Sequence, residues 1–544
     1  MRTNRSTKQR ENLLKDFGSL KDDSFDFDFI EKYFRKKDHS HANQVLSDKT
    51  CADLDFQDLF QYIDRTNSQV GQQFLYNKLR TIPVNSDEVD GQEKLINQFT
   101  NDQEFRVNVQ IQLAKLNKKE TYYITTLFQD KHLEPPKWFF IIPLLAFTNL
   151  MAFILSFFNP VMLFVIFGVF LINFVVHYWN KKNIYPYVGS LPQLLRLKGV
   201  ANELFKDERF KEINPNLQKS ILVLDEVRNR MSFFKLEAKI ESDIEIAVWG
   251  LLEFIKITFL LEPLLLFGIL KRLDTKRKEI EDVFKFVGLI DALISIASFR
   301  NSLTHFCLPT IVPDKKELAV EDVYHPLIPD CIENTIYLNG KSILLTGSNM
   351  SGKTSFIRTI GINAITGLTI NTCFARHFSM PWLRVFSAIR ISDDLLNDRS
   401  YYFEEVLTIK EMIDESISGK PNLFLLDEIF KGTNTVERIS AGKAVLSYLT
   451  AADNVVFVST HDIELADLLS EEYDLYHFSE KVDGKTVDFD FKLKEGKLKN
   501  RNAIKILQIN GYPEGIIKEA IEISKGLDNT VIPTSVLNGT SISL

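Results

Sequence analysis

The sequence predicts a chain of mixed class, α followed by α/β: a helical N-terminal half that carries an apolar helical hairpin, then an α/β domain. Three observations predict it. Residues 138–180 hold no Asp, Glu, Lys or Arg over 43 positions. On both sides of that stretch, apolar residues recur at helical spacing. From about Leu318 short β-rich runs alternate with helical patterns, and one run leads into Gly347-Ser348-Asn349-Met350-Ser351-Gly352-Lys353-Thr354, which has the spacing G-x-x-x-x-G-K-[ST].

Composition sets the outer limits. The 544 residues are 45% hydrophobic and 25% charged, ordinary for a globular chain. Lys+Arg 65 against Asp+Glu 72 gives a net charge of −7, which excludes a strongly basic nucleic-acid binder at whole-chain level. Cys51, Cys307, Cys331 and Cys373 form no C-x-x-C pair, so neither a zinc ribbon nor a disulfide scaffold is expected. They read as buried or inert thiols in a reducing compartment.

Taken in order, residues 1–45 read as a basic, flexible tail that opens with MRTNRSTKQR and has no apolar signal-peptide core. Residues 46–135 read as helical, with Leu54, Phe56, Leu59, Phe60 and Ile63 on one face and a break at Pro83–Asp87. Residues 136–182 read as a two-span transmembrane hairpin. Trp138–Phe158 and Val161–Trp179 supply 21 and 19 residues on either side of Asn159-Pro160. About 20 apolar residues cross a bilayer, and neither half shows the polar stripe of a soluble helix. Lys131, Lys137, Lys181 and Lys182 flank the outer ends. The expectation is therefore a multi-pass protein of the inner (cytoplasmic) membrane, held through residues 138–179, with both flanking regions in the cytoplasm.

Residues 183–315 read as a further helical region. Within it Ile246–Leu270 is apolar yet contains Glu253, Lys256 and Glu262. It reads as core or membrane-surface helices with Glu253 and Lys256 paired at i, i+3, a third span being the alternative. Residues 316–528 read as the α/β domain, with β runs at Ser342–Thr346, Leu423–Leu426 and Val455–Ser459 and a hairpin at Thr486–Leu493. A helix follows Pro513, and 529–544 reads as a flexible tail.

The chemistry concentrates in the α/β domain. A glycine-containing loop between a strand and a helix aims unpaired N–H groups at phosphates. Gly347 to Ser355 are therefore the expected nucleotide-binding residues, with Lys353 reaching the β- and γ-phosphates and Thr354 on Mg²⁺. The apolar run Leu423–Leu426 ends in Asp427-Glu428, as a buried parallel strand ending at a site would. Asp427 is the second expected Mg²⁺ residue and Glu428 the base that polarises water. Val455–Ser459 ends in Thr460-His461-Asp462, which makes His461 the expected sensor of the γ-phosphate or the attacking water.

These stretches resemble the MutS-type ATPases of the ABC class. TGSNMSGKTSFIRTIG is similar to the family's phosphate loop, Asn349-Met350 being its distinctive pair. Ile391–Phe403 looks like the family's signature segment, in which the residue at Ser400 reaches the nucleotide of the opposite subunit. LLDEIFKGTNTVERISAGKAVLSYL looks like the acid strand, the loop Gly432–Thr435 and the following helix. VSTHDIELADL resembles the switch-histidine segment, Tyr324-His325-Pro326 the motif before the ATPase domain, and residues 60–99 the start of the helical core. Ser348 and Ser351 stand where the family usually has Pro and Gly.

The resemblance implies an ATPase using ATP and Mg²⁺ that works as a homodimer with two composite sites. It also implies association with mismatched or branched DNA. Phe210-Lys211-Glu212 matches the letters of the family's mismatch wedge only by coincidence, its context being charged, so the closest relation is to shorter members that bear membrane segments. The alternative is a membrane-associated, nucleotide-gated scaffold that binds an unknown protein partner and no DNA.

Overall fold

The computed structural model describes residues 2–231, 250, 253–313, 316–348, 350–390, 401–451, 453–483, 486–498 and 503–528. Asn349, residues 391–400 with Ser400, residues 246–249, and the 529–544 tail fall outside them. The chain divides into two compact units, Met1–Val45 with Asp58–Thr304, and Leu46–Gln57 with His305–Leu544.

The first unit is helical. Its longest elements are Met162–Leu204 and Arg277–Asn301. Residues 1–45 are not a free tail, contrary to the sequence expectation. Arg2–Lys15 is a helix, and Arg10 donates to Asn108 Oδ1 at 3.0 Å. Gly18 N donates to Ser298 Oγ at 2.9 Å. The physical reason lies further along, where Ile30, Tyr33 and Phe34 are buried and Tyr33 packs on Phe284 with ring centroids 4.7 Å apart. Scattered apolar residues in a charged segment carry too weak a period to announce such packing.

The apolar hairpin is formed by Ile141–Ser156 and the first half of Met162–Leu204. Lys137–Ser156 and Met162–Lys181 are each long and apolar enough to cross a membrane, with mean hydropathy 2.2 and 2.1. At about 1.5 Å per residue each spans roughly 30 Å. Most of their large side chains point outward: Phe140 is 70% exposed and Phe164 79%. Their Asn and His residues point inward. Asn149 and Asn173 are buried and both donate through Nδ2 to Thr258 O, at 2.8 and 2.7 Å.

The charged residues of 253–262 gather behind the same face. His177 Nε2 lies 3.2 Å from Glu253, Lys181 Nζ 2.9 Å from Glu253, and Lys256 Nζ 3.3 Å from both Glu253 and Glu262. The i, i+3 pair expected from sequence is thus one edge of a larger network. Leu260, at φ +46°, separates residues 253–259 from the helix Leu261–Asp274.

The second unit contains a six-stranded sheet in the order Lys494–Glu495, Tyr473–His477, Ser342–Thr346, Val455–Thr460, Asn422–Asp427, Arg384–Ala388. All neighbours are parallel except the first pair. Ser342–Thr346 and Val455–Thr460 are buried at every residue, as strands covered on both faces require. A second, four-stranded sheet joins Thr310–Ile311, His377–Met380, Glu317–Val323 and Asn334–Asn339.

Two sequence boundaries shift. Leu46–Gln57 belongs to this unit rather than to a helical segment 46–135. Buried Asp53 explains why, since it accepts from Ser387 Oγ at 2.6 Å, Arg390 N at 2.8 Å and Ile389 N at 3.1 Å. The hairpin expected at 486–493 is Glu480–Asp483 paired with Thr486–Phe489. The residues after Phe489 are taken by Asn334 instead, which accepts from Leu493 N at 2.8 Å and donates to Phe491 O at 3.1 Å.

Candidate functional site

Three adjacent parallel strands end side by side. The register sets Thr346 against Thr460 and Asp427 against Ser459. The residues that follow, Gly347, His461 and Glu428, therefore emerge on one edge, the carboxyl end where open α/β sheets place their ligands.

Backbone geometry fixes the first loop. At Gly347 a Cβ would meet Phe478 O and Ser351 Oγ, each at 2.8 Å. Gly352 holds φ +108° just before the helix Lys353–Ile370, a conformation glycine adopts without steric cost. The first N–H groups of that helix have no intrahelical acceptor and suit an anion.

Lys353 is buried, and its Nζ donates to Gly347 O at 2.8 Å and Ser348 O at 2.9 Å. Burial pushes its pKa below the usual lysine value, against the pull of Glu428 and Asp427. Ser351 Oγ donates to Ser348 O at 2.8 Å, and Ser348 Oγ to Glu480 Oε2 at 2.7 Å.

The acids sit directly beneath. Thr354 Oγ1 donates to Asp427 Oδ2 at 2.8 Å, and the other Asp427 oxygen accepts from Ser459 Oγ. This pair of oxygen donors suits a hard divalent cation such as Mg²⁺. Glu428 holds φ +52° and its N–H donates to Ser459 O at 3.0 Å. Its carboxylate pairs with His461 Nε2 and with Lys431 Nζ, the latter at 2.6 Å. Burial would raise the Glu428 pKa, but the hydrogen bonds and charges of His461 and Lys431 outweigh it and hold it down to about 2. In this arrangement Glu428 is an ion-pair partner and a weak base.

A cavity of about 330 Å³ lies beside the loop. Ser348 and Met350–Ser355 line one side, and His325, Cys331, Ile332, Phe478 and Phe491 another. The structure thus gathers Gly347, Ser348, Ser351, Gly352, Lys353, Thr354, Asp427, Glu428 and His461. Met350 is 83% exposed and Ser355 is exposed at the helix start.

Sequence reasoning missed Lys431, Ser459 and Glu480, and assigned no role to His325. Ser459 had a legible signal, its position one before Thr460-His461 at a strand end. Glu480 had none, because its place opposite Ser348 depends on how the chain returns to the sheet.

Residues 343–528 match the family described as MutS domain V. Over 278 residues the chain is 30% identical to the DNA mismatch repair protein MutS of Petrotoga mobilis, a match covering 48% of this chain and 33% of that protein. The chain is a MutS-related protein. The MutS of Listeria monocytogenes is 30% identical over 268 residues, covering 46% of this chain and 30% of the relative. The DNA mismatch repair protein MSH3 of Candida albicans is 26% identical over 290 residues, covering 48% and 27%. This MutS-related chain therefore spans about a third of the length of the curated relatives it matches.

Proposed function

We propose that the chain is a membrane-anchored MutS-type P-loop ATPase that hydrolyses ATP and, as a homodimer with composite sites, couples nucleotide state to DNA association. The observation that carries the ATPase reading is the contact of Thr354 with Asp427 at 2.8 Å beneath a glycine-shaped loop that holds buried Lys353. In that reading the loop N–H groups and Lys353 bind the triphosphate, and the cavity at His325 and Phe491 takes the rest of the nucleotide.

Thr354 and Asp427 are the residues that would hold Mg²⁺, which when bound neutralises phosphate charge. Lys353 must leave the carbonyls of Gly347 and Ser348 to reach phosphate. Glu428 must part from His461 and Lys431 before it can accept a proton from water, since a carboxylate with a pKa near 2 is a poor base. Freed, His461 is at hand to orient the water.

The membrane part of the reading is supported by the outward phenylalanines of the hairpin and by its inward Asn149, Asn173 and His177. It places the protein in the inner, cytoplasmic membrane with the ATPase unit in the cytoplasm. The DNA part is supported by the names of the matched relatives.

Two experiments test these parts. Isothermal titration calorimetry with ATP should show binding to the wild-type protein and none to Lys353→Ala; equal heats would remove the phosphate-loop assignment. Filter binding with duplex, mismatched and branched DNA at two salt concentrations should give binding that weakens with salt. No titratable binding at low salt would leave a protein-binding scaffold in place of the DNA reading.

A further inference from the structure

Cys307 and Cys373 are far apart in sequence but directly opposite one another in the second unit. They form an isolated antiparallel bridge, with Cys307 N donating to Cys373 O at 3.0 Å and Cys373 N to Cys307 O at 2.9 Å. Residues that exchange both hydrogen bonds have Cα atoms about 5.5 Å apart. That is inside the range of roughly 4.4–6.8 Å that a disulfide spans. The two side chains are neighbours: a hydrogen bond from Cys373 is the main influence on the Cys307 thiol, and Cys373 Sγ also reaches Asn363 O at 3.6 Å.

Their exposure differs. Cys373 is fully buried, whereas Cys307 is partly open to solvent. We infer that Cys307 and Cys373 are a reversible peroxide-reactive pair, Cys307 the attacking thiol and Cys373 the one that resolves it into a disulfide.

The chemistry balances with hydrogen peroxide as the oxidant. The Cys307 thiolate attacks one peroxide oxygen, the O–O bond breaks, and Cys307 becomes a sulfenic acid while hydroxide leaves and takes up a proton. The Cys373 sulfur then attacks the Cys307 sulfur, the S–O bond breaks, and hydroxide leaves with the Cys373 proton as a second water. Two electrons pass from the thiols to the peroxide. Accessible thiols with a resolving neighbour are those that take this route.

The surroundings favour Cys307 over its competitors. Contact with Cys373 and with the Phe378 backbone lowers the Cys307 pKa despite burial. Cys331, the other partly exposed thiol, is pushed up by burial. The pair reads as inert in the sequence because nothing there shows that positions 307 and 373 meet. The bond would fasten the segment that carries strand Thr310–Ile311 to the one that leads into strand His377–Met380, two strands already paired in register.

The test is hydrogen peroxide titration of the full-length protein, with free-thiol counting and non-reducing peptide mass mapping. Two of the four thiols should vanish together. The peptides bearing Cys307 and Cys373 should appear linked, two hydrogens lighter than their sum, and dithiothreitol should restore both thiols. The oxidised protein should melt at a higher temperature than the reduced one, since the link constrains the unfolded chain. Cys307→Ser should leave Cys373 reduced, and Cys373→Ser should stop Cys307 at a sulfenic acid that dimedone traps. The inference is overturned if wild-type Cys307 proceeds to sulfinic acid with Cys373 still reduced. It is equally overturned if the linkage involves Cys51 or Cys331, or if all four thiols survive peroxide. The wild-type map decides between these outcomes even where a variant fails to fold.

Discussion

The two richest apolar regions of this protein treat similar residues in opposite ways. In the strands Ser342–Thr346, Asn422–Asp427 and Val455–Thr460, every Leu, Ile, Val and Phe is buried. In the hairpin, Leu144 and Phe147 are each 59% exposed and Phe164 is 79% exposed. Polar groups reverse with them. At the sheet, Asp427, Glu428 and His461 emerge from strand ends toward an open edge, while in the hairpin Asn149, Asn173 and His177 turn inward. Burying apolar side chains leaves a sheet its ends for chemistry. Exposing them requires another apolar phase, which on our reading is lipid.

The largest effect that sharpens this contrast is expected at the strand ends. Glu428→Gln removes the proton acceptor and should lower ATP turnover by about 10²–10⁴-fold while ATP stays bound, a combination measured by single-turnover hydrolysis alongside nucleotide retention. Normal turnover in this variant would break the assignment of Glu428. The substitution leaves Thr354 and Asp427 in place, so binding and hydrolysis separate.

Next come the apolar side chains themselves. Leu425 is fully buried in the middle of the sheet, and Leu425→Ala should cost about 2–5 kcal/mol of stability. Phe164→Ala removes a larger but exposed side chain and should stay within about 0.5 kcal/mol in detergent. Chemical denaturation of both variants compares the regions directly. Equal losses would mean that the hairpin is packed against protein after all.

The third effect concerns the other phase. Leu171, exposed near the middle of its span, should be costly to replace by Arg, by about 2.5–3.5 kcal/mol if it faces lipid. Leu171→Arg should then reduce the fraction of protein kept in the membrane pellet after alkaline carbonate washing. An unchanged fraction, or a wild-type protein that washes off, would remove the membrane reading.

The same contrast explains what the sequence made legible. A phosphate loop, an acid pair and a 43-residue uncharged stretch are local patterns, and local patterns survive without knowledge of the fold. The partners of those groups are not local. Lys431 joins Glu428 through a turn held by positive φ at Glu428 and Phe430. Asp53 leaves its helical neighbours because Ser387, Ile389 and Arg390 together offer it three donors. The network around Glu253, Lys256 and Glu262 shows as a pair in sequence because only i, i+3 neighbours are visible there. Its remaining members, His177 and Lys181, lie on a helix more than seventy residues earlier.

The smallest effect tests how fully His325, in the wall of the cavity beside the loop, is shielded from water. His325 is buried, its Nδ1 accepts from Leu327 N at 3.3 Å, and burial with nearby Arg358 lowers its pKa to about 4 despite the opposing charge of Asp55. The folded protein therefore holds the ring neutral where an unfolded chain, with a pKa near 6.5, would protonate it. Stability from this group is fully present above about pH 6.5 and is lost as the pH falls through 4, in total on the order of 3 kcal/mol. Carboxylates titrate in the lower part of the same window, so the quantity to measure is the difference in unfolding free energy between wild type and His325→Asn from pH 7 to pH 4. Asn keeps an acceptor for Leu327 N and takes up no proton in this pH range. The wild-type protein should lose stability relative to the variant on acidification, and parallel curves would show that the His325 ring is hydrated.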